Sequence, residues 1–424
     1  MTASNQDWSA HFGIQNIPFG VASSSKHNTP QTVSRYGNSI IFLAELGESF
    51  LASVQLPQDV FLESTLNKFA ALGGSVQQTV RGALQAMIKA DSIPQHSIED
   101  VSMVQMHLPV SVGDFTDFSC SEYHNLNASQ AVTGRRGLPP TWGFIPPGYA
   151  GRCSSIAVSG SPVRRPKGQF WADAASAMKG ENRSILYGPC KKMDYEMELG
   201  VIVGRPVPYG ETMTAQEAEN HIFGYVILND WSARDIQTFE MIPLGPLNSK
   251  NSGTTMSPWV ISPDAVAPFR GVSKTLFRNV APNLVQSHDK VLAVDMKITV
   301  TRPMPEKEGE VVRDNTAEVM SRCNSSVMAW SFEQLIAYQS SAGCGLRSGD
   351  LLGIGTVSEE EDGTRGCLLE DNIPSLGRAR GFVQDGETVE LSGYCGEGVG
   401  FGDCRAQLLP ASGDNVWTPI NPSK

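Results

Sequence analysis

The run DYEMELGVIVG places Asp194, Glu196 and Glu198 at alternate positions and continues straight into an apolar, β-branched stretch. On a strand, alternate side chains leave from one face, so these three carboxylates would stand side by side. Repulsion of that kind is tolerated on a solvated edge strand, which is where an alternating acidic strand usually lies. The apolar continuation, Val201 to Val203, argues instead for a strand inside a sheet. Buried like charges need a cation, and a divalent ion held by one or two of them supplies it.

The rest of the chain frames that strand. With 424 residues, 40% of them hydrophobic and 18% charged, it can bury a large core and form two or three domain-sized units. Over roughly the first hundred residues, short β-like runs such as Ser39 to Leu43 accompany a helical stretch from Leu62 to Ala90. The Gly73-Gly74 pair divides that stretch into two helices. From Met106 onward, glycine and proline punctuation and runs such as Ile298 to Val300 predict a strand-rich domain with few helices. Within it, Thr214 and Glu217 make a capping-box pattern, and a strand over Gly224 to Asn229 follows. Ser232 with Asp235 reads as another helix start, so Asp230 sits where strand gives way to helix.

Composition excludes several functions. Lys plus Arg total 33 against 44 Asp plus Glu, a formal net charge of −11, which leaves no basic stripe for a nucleic-acid backbone. No apolar run is long enough to span a bilayer, and the opening MTASNQDWSAHF lacks the features of a signal peptide, so a cytoplasmic protein is expected. The eight cysteines contain no CxxC pair and read as reduced, mostly buried thiols; among seven histidines there is no HExxH. A metal would therefore be held mainly by oxygen, which favours Mg2+ or Ca2+. There is no GxSxG elbow, GxxxxGK[ST] loop or GxGxxG between strand and helix, and GEGVGFG reads as bulges and turns.

Three further residues are weaker candidates. Asp117 and His124 are seven apart in DFTDFSCSEYHNL, which would put them on one face of a helix. Lys250 lies in the small-residue loop LNSKNSGTTMSPW, which could bring an ammonium close to an anion. Ordinary readings exist as well: His124 as a packing or surface histidine, Lys250 as a surface lysine and, in NDWSARD, Asp230 as a turn or capping residue.

Taken in order, GIQNIPFGV, MHLPVSVGDFTDF, GRCSSIAVSGSPVRRPKGQ, DYEMELGVIVG, HIFGYVILNDWSARDIQ, IPLGP, SGTTMSPWV, LRSGDLLGIGT and VGFGDC resemble the fumarylacetoacetate hydrolase family across essentially the whole chain. The resemblance implies a mainly β fold with α: a small SH3-like barrel at residues 1–112 and a large β-sandwich roll at 113–424 that carries the site and dimerises. It implies metal-dependent hydrolysis of a carbon–carbon bond in a small 1,3-diketo acid: 4-fumarylacetoacetate plus water gives fumarate plus acetoacetate, the last step of tyrosine and phenylalanine degradation.

By the same resemblance, Asp117, Glu196, Glu198 and Asp230 match the metal carboxylates, Asp194 is their neighbour, and Lys250 and Thr254 fall where a further cation or the active-site loop lies. His124 matches the general base and Glu370 the carboxylate that orients it. Arg234, Gln237 and Lys250 match groups that stabilise developing negative charge, while Tyr149 and Thr356 match substrate contacts. Expelling a carbanion requires its delocalisation as an enolate, which a metal chelated by both diketone oxygens favours. The departures lie in the substrate pocket. Ser119 and Met241 stand where the family has Tyr, Ala150 where it has His, and Arg135 or Arg136, with Arg136 preceding Gly as expected, stands for its substrate-binding arginine. The alternatives are a paralogue that hydrolyses, decarboxylates or tautomerises another 1,3-dicarbonyl, and a silent ligand-binding member.

Overall fold

The strand Met197–Val203 is buried at every position, and so is its antiparallel neighbour Ile222–Asp230. The computed structural model describes residues 6–273, 275, 277, 279–287, 290–303, 316–373 and 381–420. These two strands are central in a seven-stranded sheet ordered Gly148–Gly151, Phe115–Phe118, Leu351–Gly353, Met197–Val203, Ile222–Asp230, Thr254–Met256 and Ile156–Val158.

Both faces of this sheet are covered, and alternation along each strand shows by what. Leu199, Val201, Tyr225 and Ile227 join a core with Met296, Ile298, Leu391 and Phe401. The last four belong to a five-stranded sheet built from Thr316–Asn324, Asp295–Arg302, Thr388–Gly396, Val399–Leu409 and Val163–Arg164. Ile202, Val226 and Leu228 point the other way and pack with Phe19, Phe61, Phe69 and Leu84. A sheet buried on both faces has continuous rather than alternating hydrophobicity, as GVIV and GYVIL do.

The N-terminal part curls five short strands in the order Ile98–Asp100, Ser39–Phe42, Gln31–Tyr36, Phe19–Ser24 and Val104–Met106 into a small barrel-like unit. Helices Asn67–Ala71 and Gly74–Lys89 lie against it, divided at Gly73, whose φ of +90° suits glycine. The short helices Glu48–Val54 and Asp59–Leu62 precede them. The Thr214–Glu217 capping box is formed in both directions, and GEGVGFG spans a hairpin with register shifts around Tyr394. All eight cysteines are free thiols, five of them buried. No helix among the described residues is long and apolar enough to cross a membrane.

Three local expectations need correction. Asp117 and His124 do not share a helix: Asp117 is on a strand, and a new helix, Glu122–Thr133, starts after Ser121, whose hydroxyl accepts from the His124 N–H at 3.2 Å. The acidic run is not one strand either. Met193–Asp194 pairs separately with Ser232–Ala233, and the main strand begins at Met197. Finally, the helix Arg234–Glu240 has no side-chain cap from Ser232, whose hydroxyl donates to the Asp230 carbonyl instead.

Candidate active site

Side chains on one face of the sheet assemble the acidic centre from three strands and the link before one of them. Asp117 lies opposite Gly353 in the parallel pair, and Asp230 lies opposite Thr254. Glu198 comes from the strand between those of Gly353 and Asp230. A Cβ on Gly353 would stand 2.7 Å from Asp117 Oδ1 and 2.9 Å from Glu198 Oε2, so only glycine lets both carboxylates turn into this space. Glu196, in the link before Met197, completes the group. The four carboxylates are buried and offer oxygens that all lie within 4.8 Å of one another.

Among the described residues, cations compensate only one side of this cluster. Lys250, buried in the loop before Thr254–Met256, donates to Glu196 Oε2 and to Asp230 Oδ2, the latter at 2.7 Å. Tyr149 donates to the same Asp230 oxygen at 2.8 Å, and Thr254 donates to Asp230 Oδ1 at 2.9 Å. Burial pushes Glu196 up, but Lys250 and Arg234 outweigh it and hold Glu196 down at about 2. On the other side, burial reinforced by Asp230 pushes Asp117 up to about 8. Burial and the Asp117 carboxylate push Glu198 well above the carboxylate range. Asp117 Oδ1 and Glu198 Oε1 have no hydrogen-bond partner. Two orphaned buried carboxylate oxygens, in a nest with oxygen donors only, fit a divalent cation of the Mg2+ or Ca2+ kind.

Beside the cluster, His124 Nδ1 lies 2.8 Å from Glu370 Oε1. Burial alone would push Glu370 up. The His124 ring, the Ser358 hydroxyl at 2.6 Å and the Asn127 amide at 2.9 Å hold it below its ordinary value. An ionised Glu370 accepts, so Nδ1 carries the proton and Nε2 is left as the basic nitrogen. Glu370 sits on the four-residue helix Leu368–Asp371. Asp194 fixes that helix by accepting from the N–H groups of Leu368 and Leu369 at 2.8 and 2.9 Å. Arg234 Nε donates to Asp194 at 2.8 Å, while its Nη1 reaches Glu196 Oε1 at 2.8 Å and Gln237 Oε1 at 3.0 Å. Arg234 Nη2 and the Thr356 hydroxyl are buried without partners.

Asp117, Glu196, Glu198, His124, Arg234 and Lys250 line a cleft of about 330 Å3 together with Ser119, Tyr149, Gln237, Met241 and Thr356, and Asp230, Thr254 and Glu370 stand behind that lining as their partners. Of the expected site residues, only Arg136 is kept away. The helix carrying His124 ends at Gly134, φ +73°, and turns Arg136 outward, where it faces Glu360 at 3.6 Å. Neither Arg135 nor Arg136 lines the cleft. Sequence reasoning missed Asn127 and Ser358, which hold Glu370, and gave Asp194 too small a part. Asn127 had a signal: it is three residues beyond His124, on the same helical face.

A carboxylate nest fit for a divalent ion, opening into the same cleft as an oriented imidazole, belongs to an enzyme that activates a small oxygenated substrate. The comparisons say which kind. Residues 115–409 match the fumarylacetoacetate (FAA) hydrolase C-terminal family, and residues 15–109 the fumarylacetoacetase N-terminal family. The chain is 38% identical to the fumarylacetoacetase of Aspergillus fumigatus, covering 94% of this chain and 96% of that protein. It is 37% identical to that of Caenorhabditis elegans (94% and 97%) and 36% identical to that of Bos taurus (94% and 96%). Among solved structures, a fumarylacetoacetate hydrolase from Exiguobacterium antarcticum has a TM-score of 0.52 at 15% identity, covering 93% of this chain and 99% of that one, and shares the fold. The protein belongs to the fumarylacetoacetate hydrolase family.

Proposed function

We propose that this protein hydrolyses the carbon–carbon bond of a 1,3-diketo acid, with 4-fumarylacetoacetate going to fumarate and acetoacetate as the reference reaction. The observation that carries this reading is that His124, oriented by Glu370, lines the same cleft as Asp117, Glu196 and Glu198. A decarboxylase or tautomerase needs no activated water. A divalent ion held by Asp117, Glu196, Glu198 and Asp230 would polarise the diketone and favour its enolate. His124 Nε2 takes a proton from water as the oxygen attacks the carbonyl, and Glu370 stabilises the imidazolium that results. Arg234 Nη2, Gln237 and Lys250 face the oxygens on which negative charge grows. The proton then passes from His124 to the departing carbon, so one water is consumed and both products leave as acids.

Hydrolysis in H218O tests this directly. One 18O in the fumarate carboxylate supports it, whereas carbon dioxide release or unlabelled isomer supports the dicarbonyl paralogue. The family resemblance also supports the division at 112/113 and a homodimer. The ends of the two family matches, at 109 and 115, bracket that division.

A further inference from the structure

The cleft has two chemically different halves. Its floor is buried and polar, and there Arg234 Nη2 and the Thr356 hydroxyl stand unpartnered, ready for substrate oxygens. Its rim is formed by Ala128 and Val132 on one helix face, by Pro147, and by Met241, Leu244 and Pro246 on the facing loop. The polar rim groups are spent on each other: the Asn125 amide donates to the Ser119 hydroxyl at 3.0 Å and to the Ser119 and Ser121 carbonyls. Neither cation of the cleft serves the rim, because Arg234 and Lys250 are tied down at the floor by Asp194, Glu196 and Asp230. Arg135 and Arg136, the arginines nearest in sequence to Val132, lie outside the lining.

With its acid end and both keto oxygens taken to the floor, where Arg234 Nη2 and the Thr356 hydroxyl are unpartnered, a diketo acid has its acyl arm at the rim. A terminal carboxylate placed there would lose water and meet no positive charge among the described residues, whereas an alkyl arm would cover apolar surface. We infer that the rim selects an uncharged, apolar acyl arm, so that the protein cleaves 3,5-dioxoalkanoates to a monocarboxylic acid and acetoacetate in preference to substrates with a second carboxylate. This rests on the hydrolase reading above. The reaction balances in the same way: water supplies hydroxyl to the acyl carbon and a proton to the departing methylene.

The test compares kcat/KM for 3,5-dioxooctanoate and 3,5-dioxodecanoate with that for fumarylacetoacetate, using wild type, Val132→Arg and Ala128→Lys. The expected result is a wild-type preference for the neutral arms of about tenfold or more, rising with chain length. Either new cation should raise kcat/KM for fumarylacetoacetate and lower the neutral-to-charged ratio by a similar factor. A wild-type preference for fumarylacetoacetate, unmoved by chain length, overturns the inference and leaves the hydrolase reading intact. Failure to cleave any of the three overturns both.

Discussion

Asp194 and Arg234 form a fully buried ion pair, with Oδ2 2.8 Å from Nε, and the other contacts of each run to opposite sides of the site. Asp194 holds the helix that carries Glu370, and Arg234 holds Glu196 and Gln237. The pair therefore sets the spacing between the base system and the carboxylate nest. Asp194→Asn keeps the shape but leaves Arg234 short of one negative charge. Removing one partner of a buried pair costs about 3–5 kcal/mol, and a support of this kind is worth roughly 10–100-fold in activity. Thermal unfolding and kcat should both fall, with KM nearly constant. An active variant with unchanged unfolding would show that the pair is incidental.

Gly353→Ala places a methyl group against both Asp117 and Glu198. Those carboxylates can swing away, so the fold should survive while Mg2+ affinity, read by titration calorimetry, drops by roughly tenfold or more. Unchanged affinity would remove Asp117 and Glu198 from the metal site.

Chelation should act on stability as well as on activity. Without a cation, the orphaned oxygens of Asp117 and Glu198 stay buried without a partner, and the two carboxyls are held toward their protonated forms. EDTA-treated protein should melt at lower temperature, and divalent ion at about a hundred times its Kd should restore roughly 2.7 kcal/mol. A melting temperature indifferent to both treatments would contradict the nest as a metal site.

His11 sets an acid limit on the fold. Burial, helped by Arg35 and Lys297, pulls its ring down to about 4, and its Nδ1 accepts from the Gly402 N–H at 3.2 Å. The folded value is below the unfolded one, so the unfolded chain binds more protons between about pH 4 and 6.5. His11 therefore costs nothing above pH 6.5, and stability is lost as pH falls from there, by about 2–3 kcal/mol near pH 4. In urea unfolding followed across that range, His11→Gln should flatten the slope. An unchanged slope would mean that the ring protonates in place.

What was legible in the sequence was the strand logic. The acidic alternation running into Val201 to Val203 announced buried carboxylates, and the capping box at Thr214 fixed the approach to Asp230. The period-two pattern misled at Asp194, because Arg234, 40 residues away, draws that carboxylate out of line and interrupts the strand. His124 and Glu370 are 246 residues apart, a separation over which no periodicity speaks, and only the family strings joined them. Arg136 was hard to place for a local reason: the segment NLNASQAVTGRRG departs from the family pattern, and the helix ends at Gly134, with Arg136 facing Glu360 outside the cleft lining.

The central claim is that the carboxylate nest and His124 act together on one carbon–carbon bond. Its most direct test is the ultraviolet loss of fumarylacetoacetate by purified protein with Mg2+, repeated with EDTA, after Mg2+ add-back, and with His124→Ala. The account predicts loss that stops with EDTA and returns with Mg2+, and a fall of about 10²–10⁴-fold in the variant while its Mg2+ affinity stays unchanged. Loss that persists in EDTA, or in His124→Ala at the wild-type rate, would contradict it.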